Sequence, residues 1–487
     1  MKLDLLGGSY QSRYVASNPQ RTINWYPVIS GEAEGNKNQI SLFPTPGLST
    51  YVTLPGRYAR GLFTFRSHLY TKCFAIVDNI LYEIKADGGY TTVATLSNIK
   101  IGSDRIMMEC NLQNELFIGG YDASYVYDLD TSTLTQVTDV DFPNNVDSVT
   151  YLDQYMIVAA NGAVYESLTT SALNWDVTQT YSPTFKSAPV IAVGALREQI
   201  FNFTTETIEV FINDGTSPYS RLPRSTMLTG ILAKDSLATW SDGFIFLGKN
   251  RNGEAAVFFF DGWNPPSIIS DSSVTWQLNQ GTNLDTAFGY VQETKDGHYW
   301  YYLTVPSIDH TFVYDISTKL WHWRQSTKPF INSDGTTDQG YFRGVFHTNF
   351  NGMNLFLDAY SGQVLKEDYT VFTEASSMIR RERTSPIIAQ DDKYLSIKSM
   401  IIDTNSGQQV IASNSAAPVL QVSWSNNGGY TFGEPKEVSL GLRGTYLHRT
   451  RLNQLGTARR KVFRFVLTDP VDVMIQAAYV EGSGSKY

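Results

Sequence analysis

Helical periodicity is almost absent from this chain. Apolar residues come instead in runs of four to seven, cut by Asn, Asp, Gly and Ser. Gly243-Phe244-Ile245-Phe246-Leu247 leads into a polar turn through Lys249-Asn250-Arg251-Asn252-Gly253. Ala255-Ala256-Val257-Phe258-Phe259-Phe260 follows and is closed by Asp261-Gly262, which reads as strand, hairpin, strand and turn. One local pattern recurs: a short strand ending in an aromatic or aliphatic residue, often followed by an acid, centred on Tyr82, Tyr127, Tyr165, Phe211, Phe260, Tyr314 and Leu357. The separations are 45, 38, 46, 49, 54 and 43 residues, near the ~40–50-residue period of four-stranded propeller blades. The fullest copy runs from Thr311 to Trp323 as strand, polar turn and aromatic-rich strand. In a propeller each blade offers its faces to two neighbours, so aromatics fill the wedge between them.

The expected fold class is therefore all-β, a β-propeller of six to seven blades, with another all-β arrangement as the alternative. The composition agrees: 29 Tyr, 26 Phe and 9 Trp accompany 37 Gly, residues suited to pleated half-buried surfaces and to the turns between them. At 487 residues, with 42% hydrophobic and 17% charged, the chain is globular and too long for one ordinary core. Residues 1–55 read as an extended N-terminal arm, because Asn18-Pro19, Asn24-Trp25-Tyr26-Pro27 and Phe43-Pro44-Thr45-Pro46-Gly47 favour extended backbone. Such an arm is expected to lie across the propeller or a neighbouring subunit. The propeller is placed at 56–378 and a C-terminal β-sandwich at 379–487, where longer alternating strands appear. The Gly-, Gln-, Ser- and Ala-rich stretch 407–417 reads as an exposed connection.

The formal net charge of −9 argues against a nucleic-acid clamp. Charge is nonetheless segregated: residues 380–464 hold 13 Lys/Arg against 6 Asp/Glu, net +7, leaving 25 against 41, net −16, for the remainder. Two surfaces with different neighbours, or two differently solvated faces, would produce this split. Cys73 and Cys110 lack a CxxC spacing or an adjacent His, so neither a disulfide framework nor a zinc site is expected and a reducing cytoplasm suits folding. The first eight residues carry an acid at Asp4 and no apolar segment of the signal-peptide kind. No stretch approaches the ~18 apolar residues of a membrane-spanning helix.

Ser425-Asn426-Asn427-Gly428-Gly429-Tyr430-Thr431-Phe432 fits the Asp-box pattern S-x-[DN]-x-G-x-T-[FW]. Ser425, Asn427, Gly429, Thr431 and Phe432 are its defining positions, and its expected role is structural. Asn427 bonds to backbone in a tight turn, Gly429 takes a left-handed conformation and Phe432 tucks beneath the hairpin. Downstream, Arg443, Arg449, Arg451, Arg459, Arg460 and Arg464 are candidate partner-docking residues. Strand alternation puts Arg449 with Arg451 on one face, and Arg460 with Arg464 on another. Guanidiniums so arrayed suit an acidic protein surface or phosphate, while internal ion pairing is the plainer alternative.

No HxH, HExxH, GxSxG or GxxxxGK[ST] spacing occurs, and the acidic pair Asp391-Asp392 is weak support for a glycosidase. No enzyme activity, metal or cofactor is expected.

The run Arg21 to Pro27 and the segment Pro44-Thr45-Pro46-Gly47-Leu48 resemble the start of packaged-DNA stabilisation proteins, the tail hubs or nozzles of short-tailed bacteriophages. The C-terminal half carries similar features: the Ser425–Phe432 box, Gly441-Leu442-Arg443-Gly444-Thr445-Tyr446, Arg451 with Leu455-Gly456, Arg459 to Phe465, and Thr468-Asp469-Pro470. The resemblance implies a virion structural protein made in the host cytoplasm. It would form a homo-hexameric ring below the portal and adaptor, extending the DNA channel, retaining the packaged genome until ejection, and anchoring spikes or fibres. Double-stranded DNA would pass without sequence-specific contact. The alternatives are a carbohydrate-binding, receptor-recognising propeller and a sialidase-like glycan hydrolase. The hydrolase calls for arginines on inner propeller strands, whereas here they concentrate in the C-terminal part.

Overall fold

The structure, a computed structural model, describes residues 2–3, 5–30, 39–216, 218–390, 393–407 and 417–485. Asp4, the Asp391-Asp392 pair and most of the 407–417 connection lie outside the described residues.

Among the described residues, seven four-stranded antiparallel units follow one another along the chain. Five are separate sheets, beginning at Ala59–Arg66, Met107–Cys110, Val146–Leu152, Val190–Leu196 and Ala238–Trp240. The sixth runs from Phe288–Glu293 to Leu320–Ile331. The seventh takes Gly344–Phe350, Met353–Asp358 and Gln363–Asp368 from the end of the propeller and its fourth strand, Gly47–Thr53, from the N-terminus. Six of the seven recurrent positions, Tyr82 through Tyr314, fall on the third strand of blades one to six; Leu357 falls on the second strand of blade seven. The pattern recurs because that strand lies between two others and buries both faces against adjacent blades.

Packing confirms the ring. Seven of the hydrophobic clusters among the described residues are wedges between consecutive blades. The closing wedge joins Leu62, Cys73, Val77 and Tyr82 of blade one to Leu355, Leu357 and Val364 of blade seven, with Val52 of the N-terminal strand among them. Aromatics carry the wedges: Phe201, Phe203, Phe244 and Phe246 meet edge-on between blades four and five, with centroids 5.2–5.4 Å apart. Cys73 and Cys110 are both free thiols.

An eighth cluster is the sandwich core. One sheet orders Trp25–Ser30, Gln39–Pro44, Ile475–Ser485, Tyr394–Thr404 and Thr450–Asn453, with Lys2–Leu3 pairing on Ile475–Ser485. The other contains Arg381–Thr384, Val462–Leu467, Val419–Ser425 and Lys436–Ser439. This second sheet does not end at the sandwich. Arg21–Ile23 pairs with Arg381–Thr384 on one side and, in parallel, with Leu320–Ile331 of blade six on the other. The two units therefore share one continuous hydrogen-bonded sheet through an N-terminal strand.

Of the two placements expected for residues 1–55, lying across the propeller or across a neighbouring subunit, the chain takes an intramolecular one. Its strands belong to both units.

Candidate interaction surfaces

The N-terminal motif Asn24-Trp25-Tyr26 sits at the junction, and each residue serves a different part. Asn24, in the left-handed region (φ 54°), donates its amide to the carbonyls of Gln325 and Arg380 at 2.9 and 2.8 Å. Trp25 is buried in the sandwich and donates Nε1–H to the Val473 carbonyl. Tyr26 points the other way into the wedge between blades six and seven, edge-on to Trp300 at 4.8 Å, with its hydroxyl 3.0 Å from Asp296. At Gly47 the reason for glycine is space: a Cβ would collide with the carbonyl oxygens of Val371 and Thr373.

Buried charge holds this junction. Arg383, fully buried, donates to the carbonyls of Leu5 (2.6 Å) and Gly8 (2.9 Å), the Thr22 hydroxyl (2.6 Å) and the Gln20 side chain (2.7 Å). Arg324 pairs with Glu374 at 3.2 Å, and Arg343 with Asp358 at 2.8 Å, while Ser326 donates to Glu374. Arg381 stacks over Phe372 at 5.6 Å, and burial pulls its guanidinium down to about 10. Part of the basic excess in 380–464 is thus internal, which the sequence alone had left open.

The Asp-box residues lie together in one turn. Asn427 Oδ1 accepts from the Ser425 hydroxyl (2.6 Å) and the Thr431 amide (3.1 Å), and its amide group donates to the Thr431 hydroxyl (2.8 Å). Gly429 has φ 102° and donates to Ser425 Oγ. Phe432 is half-buried beneath the Arg464 guanidinium at 4.4 Å. The turn rests on the N-terminal segment, where a Cβ at Gly429 would press on Pro19 and Val15. A cavity of about 190 Å³ lies between them, with Arg21, Glu382 and Arg464 in its wall.

The six arginines do not form one cluster. Arg443 and Arg449 are exposed on the 441–449 segment beside exposed Leu442, Tyr446 and Leu447. Arg451 lies on the outer side of Thr450–Asn453, because Thr450 and Leu452 turn inward; it donates to Ser399 and approaches Glu481 at 3.9 Å. Arg459 stacks on Tyr394 at 4.8 Å, on the same sheet. Arg460 and Arg464 stand with the Asp box instead. Arg460 is exposed and bridges to Asn427 outside Val462–Leu467, and half-buried Arg464 donates to Ser423.

The tightest histidine–carboxylate pair is His298–Asp315, at 2.7 Å in blade six. The second carboxylate oxygen of Asp315 accepts from the amides of Ser317 and Thr318, so the acid also holds the turn of the fullest repeat copy. Among the described residues no group of three or more His, Cys, Asp or Glu could hold a metal ion. No helix among them is long and apolar enough to cross a membrane. The Arg383 staple and the Arg324–Glu374 pair had no sequence signal, since their partners lie tens to hundreds of positions away.

A seven-blade propeller, closed by the chain's own N-terminal strand and joined by a continuous sheet to a β-sandwich, defines an all-β structural scaffold. The chain belongs to the bacteriophage P22 Gp10 family: the family's β-propeller model matches residues 1–370 and its β-sandwich model residues 380–483. It is a structural protein of a phage tail that stabilises packaged DNA, of the short-tailed phage class that the sequence resembles. Such a structural family points to a non-enzymatic role in the virion, assembled with other virion components.

No curated protein matches the chain. Among solved structures, the extracellular domain of a hybrid two-component system from B. thetaiotaomicron is similar at 11% identity and a TM-score of 0.43, over 66% of this chain and 39% of that one. The Neurospora crassa Pan2 WD40 domain is similar at 7% identity and 0.42, over 67% and 95%. The computationally designed Ika8 protein is similar at 10% identity and 0.40, over 66% and 99%.

Proposed function

We propose that this chain is the hub or nozzle of a short tail. Six copies form a ring below the portal and adaptor, extend the DNA channel, retain the packaged genome until ejection and anchor spikes or fibres. The protein is made in the host cytoplasm and resides in the virion tail. The observation that carries this reading is the exposed 442–449 segment with Arg451 just beyond it, where Arg443, Arg449 and Arg451 stand among exposed Leu442, Tyr446 and Leu447. Arginine interleaved with exposed aromatic and aliphatic side chains is the composition of a protein-docking surface. The segment sits in the positive part of a chain that is otherwise net −16. An acidic ring above would complement it, and an acidic channel wall would let duplex DNA slide without sticking. Arg459, Arg460 and Arg464 are assigned secondary docking roles on the flanks of the same domain.

The test is the native mass of the purified protein alone and mixed with its adaptor ring. A closed ring on the adaptor is expected, and Arg449→Glu/Arg451→Glu should weaken its formation at least tenfold. Unchanged assembly of that double variant would remove the docking role. A wild-type chain that ignores the adaptor would remove the hub reading itself.

A further inference from the structure

A pocket of about 610 Å³ opens at the end of the propeller axis where the inner strands of several blades begin. That is the size range of small-molecule sites. At its floor the Arg105 guanidinium lies over the Phe346 ring at 3.7 Å and near Phe288 at 4.6 Å. Two aromatic contacts fix the orientation of the fork, and one N–H is given to the Val345 carbonyl at 3.2 Å. A guanidinium has five donors, so most of this fork is left for another acceptor. Beside it stands Asp235, which interacts electrostatically with Arg105 and has one buried oxygen, Oδ1, without a hydrogen-bond partner.

Above this polar floor the mouth carries Tyr121, 61% exposed, and Tyr58, 38% exposed. Aromatic side chains that remain exposed at the rim of a polar pocket offer flat apolar platforms with a polar tip. The charge balance narrows the ligand further. Asp104, Asp235 and Asp285 line the pocket against Arg105 and Lys234, and Lys234 is already paired with Asp147 at 2.6 Å. An anionic ligand is disfavoured. The ligand that matches an aromatic platform, an oriented guanidinium fork and carboxylates able to accept further hydrogen bonds is one with an apolar ring face and a rim of uncharged hydroxyls.

We infer that the axial pocket of the propeller is a binding site for a neutral sugar unit, stacked on Tyr121 and hydrogen-bonded by Arg105 and the neighbouring aspartates. The site is separate from the sandwich arginines. It would give a tail component a contact with surface polysaccharide.

The experiment is binding of the full-length protein to an immobilised panel of neutral bacterial oligosaccharides, with sialylated and uronic-acid glycans as controls. Hits are then titrated in solution. Binding confined to neutral glycans and weakened at least tenfold by Tyr121→Ala and by Asp285→Asn is expected. Both positions lie at the pocket rim, so an unchanged thermal midpoint reports that the variants are folded. No binding across the panel, preference for the acidic glycans, or binding that survives both substitutions would overturn the assignment.

Discussion

His322 is fully buried in blade six, its ring edge-on to Trp300 at 5.1 Å and neither nitrogen hydrogen-bonded. Burial pulls its pKa down to about 3, and His310 and His347 are lowered to about 4 for the same reason. A base held neutral in the fold but free to charge when unfolded contributes stability above the unfolded value, ~6.5, and loses it as pH falls towards the folded one. For His322 the loss is up to about 1.4 kcal/mol per pH unit. Glu166 works in the opposite sense. It is buried with Oε2 unpartnered, and desolvation pushes it up to about 7, so its contribution is lost as pH rises through that value. Urea midpoints between pH 4.5 and 8 should therefore fall on the acid side. His322→Phe should flatten that fall, while Glu166→Gln should raise stability at pH 8 and steepen it.

At the scale of elements, the seam between blades seven and one depends on Gly47–Thr53, a strand supplied from about 300 residues away in sequence. Phe43-Pro44-Thr45-Pro46-Gly47 reads as extended backbone because prolines permit little else. Its destination was not legible, because pairing partners are chosen by the edge left open on blade seven and not by local preference. Val52 reports on this closure, since it is buried in the same cluster as Leu62 and Leu357. Val52→Asp would place a carboxylate there without a partner, at a cost of about 3 kcal/mol or more. Hydrogen exchange should rise in both Gln363–Asp368 and Ala59–Arg66. A rise limited to residues around position 52 would mean that the ring closes without this strand.

The whole molecule is organised by one continuous sheet. Arg21–Ile23 is hydrogen-bonded to blade six and to the sandwich, and Asn24 and Arg383 bind across the same junction. Propeller and sandwich are therefore expected to unfold in one cooperative transition, which calorimetry can read. Two separated transitions would show that the junction transmits little.

Much of this was present in the chain before folding. Short apolar runs, a repeat near 45 residues and abundant aromatics determined a propeller, because period and side-chain shape are local properties that four-stranded blades require. The Asp-box turn was readable for the same reason, its bonds spanning Ser425 to Thr431. Tertiary structure decided between six and seven blades, since the seventh is completed only by a strand, Gly47–Thr53, borrowed from the N-terminus. It also sorted the arginines, taking Arg381 and Arg383 inside as staples and leaving Arg443, Arg449 and Arg451 outside, and it assembled Arg105 with Asp235 at the axis. Charge and alternation are written along the chain, but burial and long-range partners exist only after the ring has closed.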